Sequence, residues 1–241
     1  MSVLNPYTSS DSTMIDQGLR SYMLKIYNYM IAALVMTGGI AFYTAHSEPM
    51  LKLMYRMQDH MITGMTPFAW LVMLAPVILV FMISFRLPQM SLGAVQIAYW
   101  TYAALMGLSL STIFLAYTDT SIARVFFITA GTFSGMSLIG YTTKKDLTNI
   151  GSFLMMALIG LIIASLVNLF LKSNGMQFIL SVIGVLIFVG LTAFDTQKLK
   201  QIYLSHSDDD RTAIMGALTL YLDFINIFLS LLQILGNRNE R

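Results

Sequence analysis

The chain has 241 residues, 56% of them apolar and only 11% charged, whereas a water-soluble domain carries about a quarter charged residues. That leaves too little polar side chain to cover a water-facing globule. A net charge of +2 provides no basic patch for nucleic acid and no acidic tail, and the lack of cysteine excludes disulfides, iron–sulfur ligation and thiol catalysis.

Residues 1–26 hold Asp11, Asp16, Arg20 and Lys25 among polar neighbours. They read as a polar cytosolic leader without the basic start, apolar core and small-residue cleavage site of a signal peptide. Residues 27–241 read as a single all-α integral membrane domain. Crossing about 30 Å of hydrocarbon takes roughly 20 mostly apolar residues, and seven blocks meet or approach that length. They run from Tyr27 to Ala45, Pro67 to Phe85, Val95 to Tyr117, Ile122 to Tyr141, Gly151 to Leu171, Met176 to Phe194 and Ala213 to Leu235. The connections between them are short, and none is long enough to separate domains.

Small residues recur in the first span (Gly38, Gly39), the fourth (Gly131 and Gly135, a GxxxG) and the sixth (Gly184, Gly190). Small faces let helices approach closely in lipid, so these glycines are expected to pack the bundle. The 19 methionines read as flexible core filler. His46, His60 and His206 are scattered through loops without His-Glu-x-x-His spacing, which excludes zinc hydrolysis of that type.

Lys and Arg concentrate on the cytosolic side of membrane proteins. With the N-terminus inside, the inner segments hold Arg20, Lys25, Arg86, Lys144, Lys145, Lys198, Lys200 and Arg211, eight of the 14 basic residues. The bias is small, but the lysine pairs stand at span ends, and the expected topology is N-terminus cytosolic, C-terminus outside.

An ionisable residue inside a span costs a few kcal/mol on insertion scales, which makes it a functional hypothesis by default. Of the 12 acidic residues only two qualify. Asp223 lies in Leu220-Tyr-Leu-Asp-Phe-Ile-Asn226, well inside the seventh span, and Asp195 in Phe194-Asp-Thr-Gln-Lys198, at the inner end of the sixth. Two carboxylates in a low-dielectric site do not both ionise cheaply and tend to share a proton, which suits a proton sensor or a transient calcium contact, since oxygen ligands suit calcium. Arg86, in Ser84-Phe-Arg-Leu-Pro88, is the candidate counter-charge. Plainer readings stand beside these. Asp195 can pair with Lys198 at the interface, Asp223 can be a structural carboxyl bonded to Asn226, Thr219 or Tyr221, and Arg86 can be a positive-inside anchor.

Three segments carry a family resemblance: Thr143-Lys-Lys-Asp-Leu147, Phe194-Asp-Thr-Gln-Lys198, and Asp223 through Gly236. Together they resemble the bacterial branch of the Bax inhibitor 1 (transmembrane Bax inhibitor motif) family. The resemblance implies a seven-transmembrane-helix bundle whose last helix is wrapped by the other six, in the cell inner membrane. It further implies a pH-sensitive calcium leak gated by the proton-sharing pair Asp195–Asp223, with Arg86 pairing the closed-state carboxylate. Asn226 and Lys198 are supporting polar residues, and no cofactor is implied. Some family members bind and modulate a membrane-bound AAA protease, which gives an alternative, non-transporting function with its contacts on the polar leader. The run Ser205-His-Ser-Asp-Asp-Asp-Arg211 is longer than the bacterial pattern and reads either as a solvated turn or as a cation attractor.

Catalysis finds little footing. An intramembrane aspartyl protease also needs two membrane carboxylates, but its Gly-x-Gly-Asp pattern is absent: Thr192-Ala-Phe precedes Asp195 and Leu220-Tyr-Leu precedes Asp223. No lysine lies within the seven blocks to form a retinal Schiff base. The expectation is a non-enzymatic membrane protein.

Overall fold

The computed structural model describes residues 7–58, 61–86, 89–205 and 209–239. His60, His206 and Asp208 lie outside them, as do Leu87 and Pro88 and the first six residues of the leader. In chain order the elements are α1 (Tyr7–His46), α2 (Glu48–Met54), β1 (Tyr55–Gln58), β2 (Met61–Met65), α3 (Pro67–Arg86), α4 (Leu92–Ala116), α5 (Asp119–Thr142), α6 (Thr148–Leu171), α7 (Asn174–Leu204) and α8 (Asp210–Leu235).

Among the described residues six helices are long and apolar enough to cross a membrane: α1 from Gln17, and α4 to α8. The expected second span corresponds to α3, whose apolar stretch is the shorter Pro67–Ile83. The chain is thus an almost wholly helical, multi-pass membrane protein. Between α1 and α3, α2 leads into an antiparallel hairpin in which Tyr55 faces Met65 and Arg56 faces Gly64.

Two helices overrun their expected ends. α1 continues N-terminally without a break at residue 26, and Leu19, Tyr22, Met23 and Ile26 of the expected leader are buried in the main core. α7 continues ten residues past Phe194 to Leu204. Its 31 residues span about 46 Å at helical rise, some 16 Å more than the hydrocarbon. Asp195 is therefore not at the helix end but about 14 Å before it.

α8 is the centre of the bundle. Ala217, Leu220, Tyr221 and Ile227 along it are fully buried, and it packs chiefly against α7, α1, α5 and α4. The expectation of six helices wrapped round the last one is corrected to a ring of four, because α3 packs outside α4 and α6 outside α7. None of the apolar window of α6 is buried within the chain, and Phe153, Met156, Ile163 and Leu166 point outward. An apolar outer face of this kind is what hydrocarbon solvates.

Glycine packing divides in two. At Gly140 an added Cβ would collide with the backbone of Ala193, so α5 and α7 touch main chain to main chain there. At Gly184 a Cβ would meet Ser230 Oγ at 2.9 Å, which brings α7 onto α8. Gly38, Gly39, Gly131 and Gly135, by contrast, have nothing within 4 Å of that position. The GxxxG of α5 and the Gly pair of α1 face outward instead of packing this bundle.

One end of the bundle, its basic end, carries slightly more Lys and Arg than the other. Lys25 of α1 pairs with Asp210 at the start of α8, the Tyr22 and Tyr203 rings meet at 5.5 Å, and Arg211 Nη1 donates to Met90 O in the α3–α4 connection. Lys200 Nζ donates to Tyr141 O at the end of α5. At the opposite end the residues after α8 pair with the α4–α5 connection: Tyr117 bridges to Arg238, and Asn239 N donates to Ala116 O at 3.0 Å.

Candidate functional site

The close approach at Gly140 draws α7 inward, and the antiparallel α7–α8 pair then brings Asp195 opposite Asp223. The two carboxyl groups lie close enough for a side-chain hydrogen bond between them. A carboxylate has no proton to donate, so such a bond exists only while one of the two carries a proton. Asp223 is 4% exposed and its Oδ2 has no hydrogen-bond partner; Asp195 is only partly buried.

The three residues that could have made Asp223 a merely structural carboxyl are engaged elsewhere. Asn226 Nδ2 donates to Leu222 O at 2.8 Å, Thr219 Oγ1 donates to Met215 O at 3.1 Å, and the Tyr221 hydroxyl bonds Thr37 Oγ1 at 2.9 Å. Asn226 thus does not touch Asp223, although it lies one turn along on the same face of α8. Lys198, one turn beyond Asp195, is exposed and acts on it through its charge. Arg86 is exposed at the end of α3, and none of the ion pairs among the described residues includes it. The structure joins the two aspartates and leaves Arg86 apart, because α3 packs on α4 and not on the α7–α8 pair.

Surroundings of the pair differ toward the two ends of the bundle. Toward the α6–α7 turn a polar groove of about 560 Å³ is lined by Gln177, Ser181, Ser230 and Gln233, and it reaches Asn226. Toward the basic end the α7–α8 seam is apolar. There Leu199, Ile26 and Ile214 are buried, and a Cβ on Gly216 would meet Leu199 Cδ2 at 2.6 Å. The geometry offers water and cations a polar approach to within one turn of Asp223 from one side and a dry seal on the other. Among the described residues no group of three or more His, Asp or Glu side chains stands ready to hold a metal ion.

Gln197 is a structural member of the site that the sequence reading passed over. Its Oε1 accepts from Leu147 N at 2.8 Å and its Nε2 donates to Lys145 O at 2.8 Å. This buried amide ties the α5–α6 connection to α7 two residues from Asp195. It also explains why Thr143–Leu147 and Phe194–Lys198 stand out together: they are two halves of one clamp. The acidic run is likewise partly accounted for. Asp209 caps α8 through Thr212 N and Thr212 Oγ1, both at 2.7 Å, and bonds to Thr212 followed by Arg211 hold its carboxyl down at about 2. Asp210 is the partner of Lys25.

The profile of the family described as inhibitor of apoptosis-promoting Bax1 matches residues 19–240. The chain belongs to the Bax inhibitor 1 family. Similarity to its members runs nearly end to end. The Rickettsia prowazekii protein RP147 is 49% identical over 236 residues, 97% of this chain and 96% of the relative. The Escherichia coli K12 protein named inner membrane protein YbhL is 44% identical over 226 residues, 92% and 93% of the two chains. A Caulobacter vibrioides relative is 43% identical over 230 residues, 94% and 92%. For a Bax inhibitor 1 family chain, the α5–α6 clamp, the α7 aspartate and α8 all fall within the matched residues.

Proposed function

We propose that this chain is a pH-sensitive calcium leak of the cell inner membrane, non-enzymatic, in which the proton shared by Asp195 and Asp223 governs the path. The observation that carries the reading is the carboxyl pair itself, brought within reach of a shared hydrogen bond inside the α7–α8 seam, with Asp223 Oδ2 otherwise unpartnered. Losing the shared proton turns that bond into a repulsion between two carboxylates. That change works against the seam beside the dry seal, and the same two groups then present oxygen ligands to a cation arriving by the polar groove.

Orientation follows from the ends. The basic end gathers Arg20, Lys25, Lys144, Lys145, Lys198, Lys200 and Arg211, and Arg86 closes α3 beside it, so by the positive-inside rule it is cytosolic. The N-terminus then lies inside, the C-terminus outside, and the polar groove opens outward. Location in the inner membrane rests on the name of the E. coli relative. The alternative is a regulator that binds a membrane AAA protease through the leader; Leu19, Tyr22, Met23 and Ile26 pack in the core, so such contacts would fall to the residues before them.

Calcium flux into proteoliposomes, followed across pH, tests the reading. Asp195→Asn and Asp223→Asn each flatten the pH dependence. An unchanged pH profile in both variants overturns it.

A further inference from the structure

The ring round α8 is not closed. α1 and α5 both pack on α8 yet make no extensive contact with one another, and the space between them is a cavity of about 710 Å³ lined by Met30, Ala130, Phe133 and Ser134, with Phe224 of α8 as its floor. A second, apolar cavity of about 410 Å³ continues it, sharing Leu34, Phe126 and Phe224. The opening faces hydrocarbon, so a lipid chain is the solvent available to it. Its dimensions suit one. From Arg20 at the mouth to Leu34, where the two cavities join, α1 rises about 21 Å, one leaflet of about 15 Å plus a headgroup.

Charge selects among lipids. Arg20 is exposed and lines the mouth, the larger cavity has no acidic lining residue while the second has Asp119, and Lys200 sits 5.5 Å from the ring centroid of Tyr141, another residue lining the larger cavity. Both cations are at the basic end. Deeper in, Tyr27 OH bonds Ser137 Oγ at 2.7 Å and Ser137 Oγ bonds Thr196 Oγ1 at 2.9 Å, so these two hydroxyls of the cleft wall are satisfied within the protein beside a largely apolar lining.

We propose that the α1–α5 seam binds one anionic phospholipid of the bilayer, an acyl chain lying against Phe224 and the phosphate on Arg20 with Lys200 beside it. The lipid completes the wall round α8, and its chain reaches the residue next to Asp223. The claim does not depend on conduction.

Native mass spectrometry of the full chain tests it, released from micelles doped with equal amounts of phosphatidylglycerol and phosphatidylethanolamine of the same acyl chains. One phosphatidylglycerol per chain is expected, favoured about fivefold, the size of one partly exposed ionic contact. Ala130→Trp, which fills the slot from α5, abolishes that adduct, and Ser134→Leu weakens it from the same wall without adding an aromatic ring. Arg20→Gln keeps an adduct but loses the headgroup preference. Equal retention of the two lipids by the unaltered chain overturns the proposal. So does an adduct that survives in a helical, monodisperse Ala130→Trp or Ser134→Leu protein, or the absence of any adduct.

Discussion

The contact between Thr37 and Tyr221 gives an asymmetric prediction about what holds α8 in its ring. Thr37 Oγ1 donates to Ala103 O at 2.9 Å, which commits its proton. The Tyr221 hydroxyl, 2.9 Å away, must therefore be the donor to Thr37, and one threonine links α1 to α4 and α8. Tyr221→Phe removes one neutral interhelical bond while Thr37 keeps Ala103, a loss of about 0.6 kcal/mol, the average for such bonds between membrane helices. Thr37→Val keeps the shape but removes both bonds and strands the hydroxyl of Tyr221, which is 0% exposed. A stranded buried polar group costs about 1–3 kcal/mol. Combining the two substitutions removes the stranded hydroxyl along with its partner, so the double variant should be more stable than Thr37→Val alone, by about 1 kcal/mol. Reversible unfolding in mixed micelles titrated with a denaturing detergent measures all four corners of the cycle. A double variant as unstable as the sum of the singles, or a Tyr221→Phe costlier than Thr37→Val, would refute the assignment of donor and acceptor.

Two further predictions concern the polar fastenings outside the core. Gln197→Leu removes both bonds of the clamp and leaves the Leu147 amide without its acceptor, costing about 1–3 kcal/mol, and hydrogen exchange at Leu147 should quicken. Unchanged protection there would mean the clamp is not formed in the bilayer. Asp209→Ala removes the cap of α8 and should cost about 1 kcal/mol in thermal unfolding at neutral pH. The carboxyl is held at about 2 in the folded chain, below its unfolded value of about 3.9. Its contribution is accordingly complete above pH ~4 and fades as pH falls through about 2, where the variant and the parent should converge.

Hydropathy marked the apolar blocks but not where their helices end. The apolar block of α7 ends at Phe194, but Asp-Thr-Gln-Lys-Leu-Lys-Gln-Ile-Tyr-Leu contains neither Gly nor Pro, and a helix continues through polar residues once nothing breaks it. α1 likewise runs on through polar residues, and its one glycine there, Gly18, makes room for the Tyr203 hydroxyl. The two aspartates were legible because ionisable residues are conspicuous in apolar blocks. Their pairing was expected from the family resemblance and from the cost of two carboxylates in one low-dielectric site; spacing alone does not set two helices side by side. The separation of Arg86 from the ion pairs among the described residues goes with α3 packing on α4, which one-dimensional periodicity does not encode. The glycines were misjudged for a related reason: Gly131 and Gly184 look alike in a sequence, and only the neighbouring helix distinguishes a packed one from an outward one. Hairpin strands of four and five residues are too short for an alternation to register.

The helix that carries Asp223 is tethered at both termini by groups lying beyond its apolar stretch. At one end are the Asp209 cap and the Lys25–Asp210 pair. At the other, Asn237 N donates to Ser121 Oγ, and Asn239 joins the α4–α5 connection. A slip of α8 by one residue, about 1.5 Å along its axis, would have to break both sets together. The depth of the buried carboxyl is thereby gauged from the two water-facing ends, as a spindle is held between its bearings, and what remains free to shift is the set of helices around it.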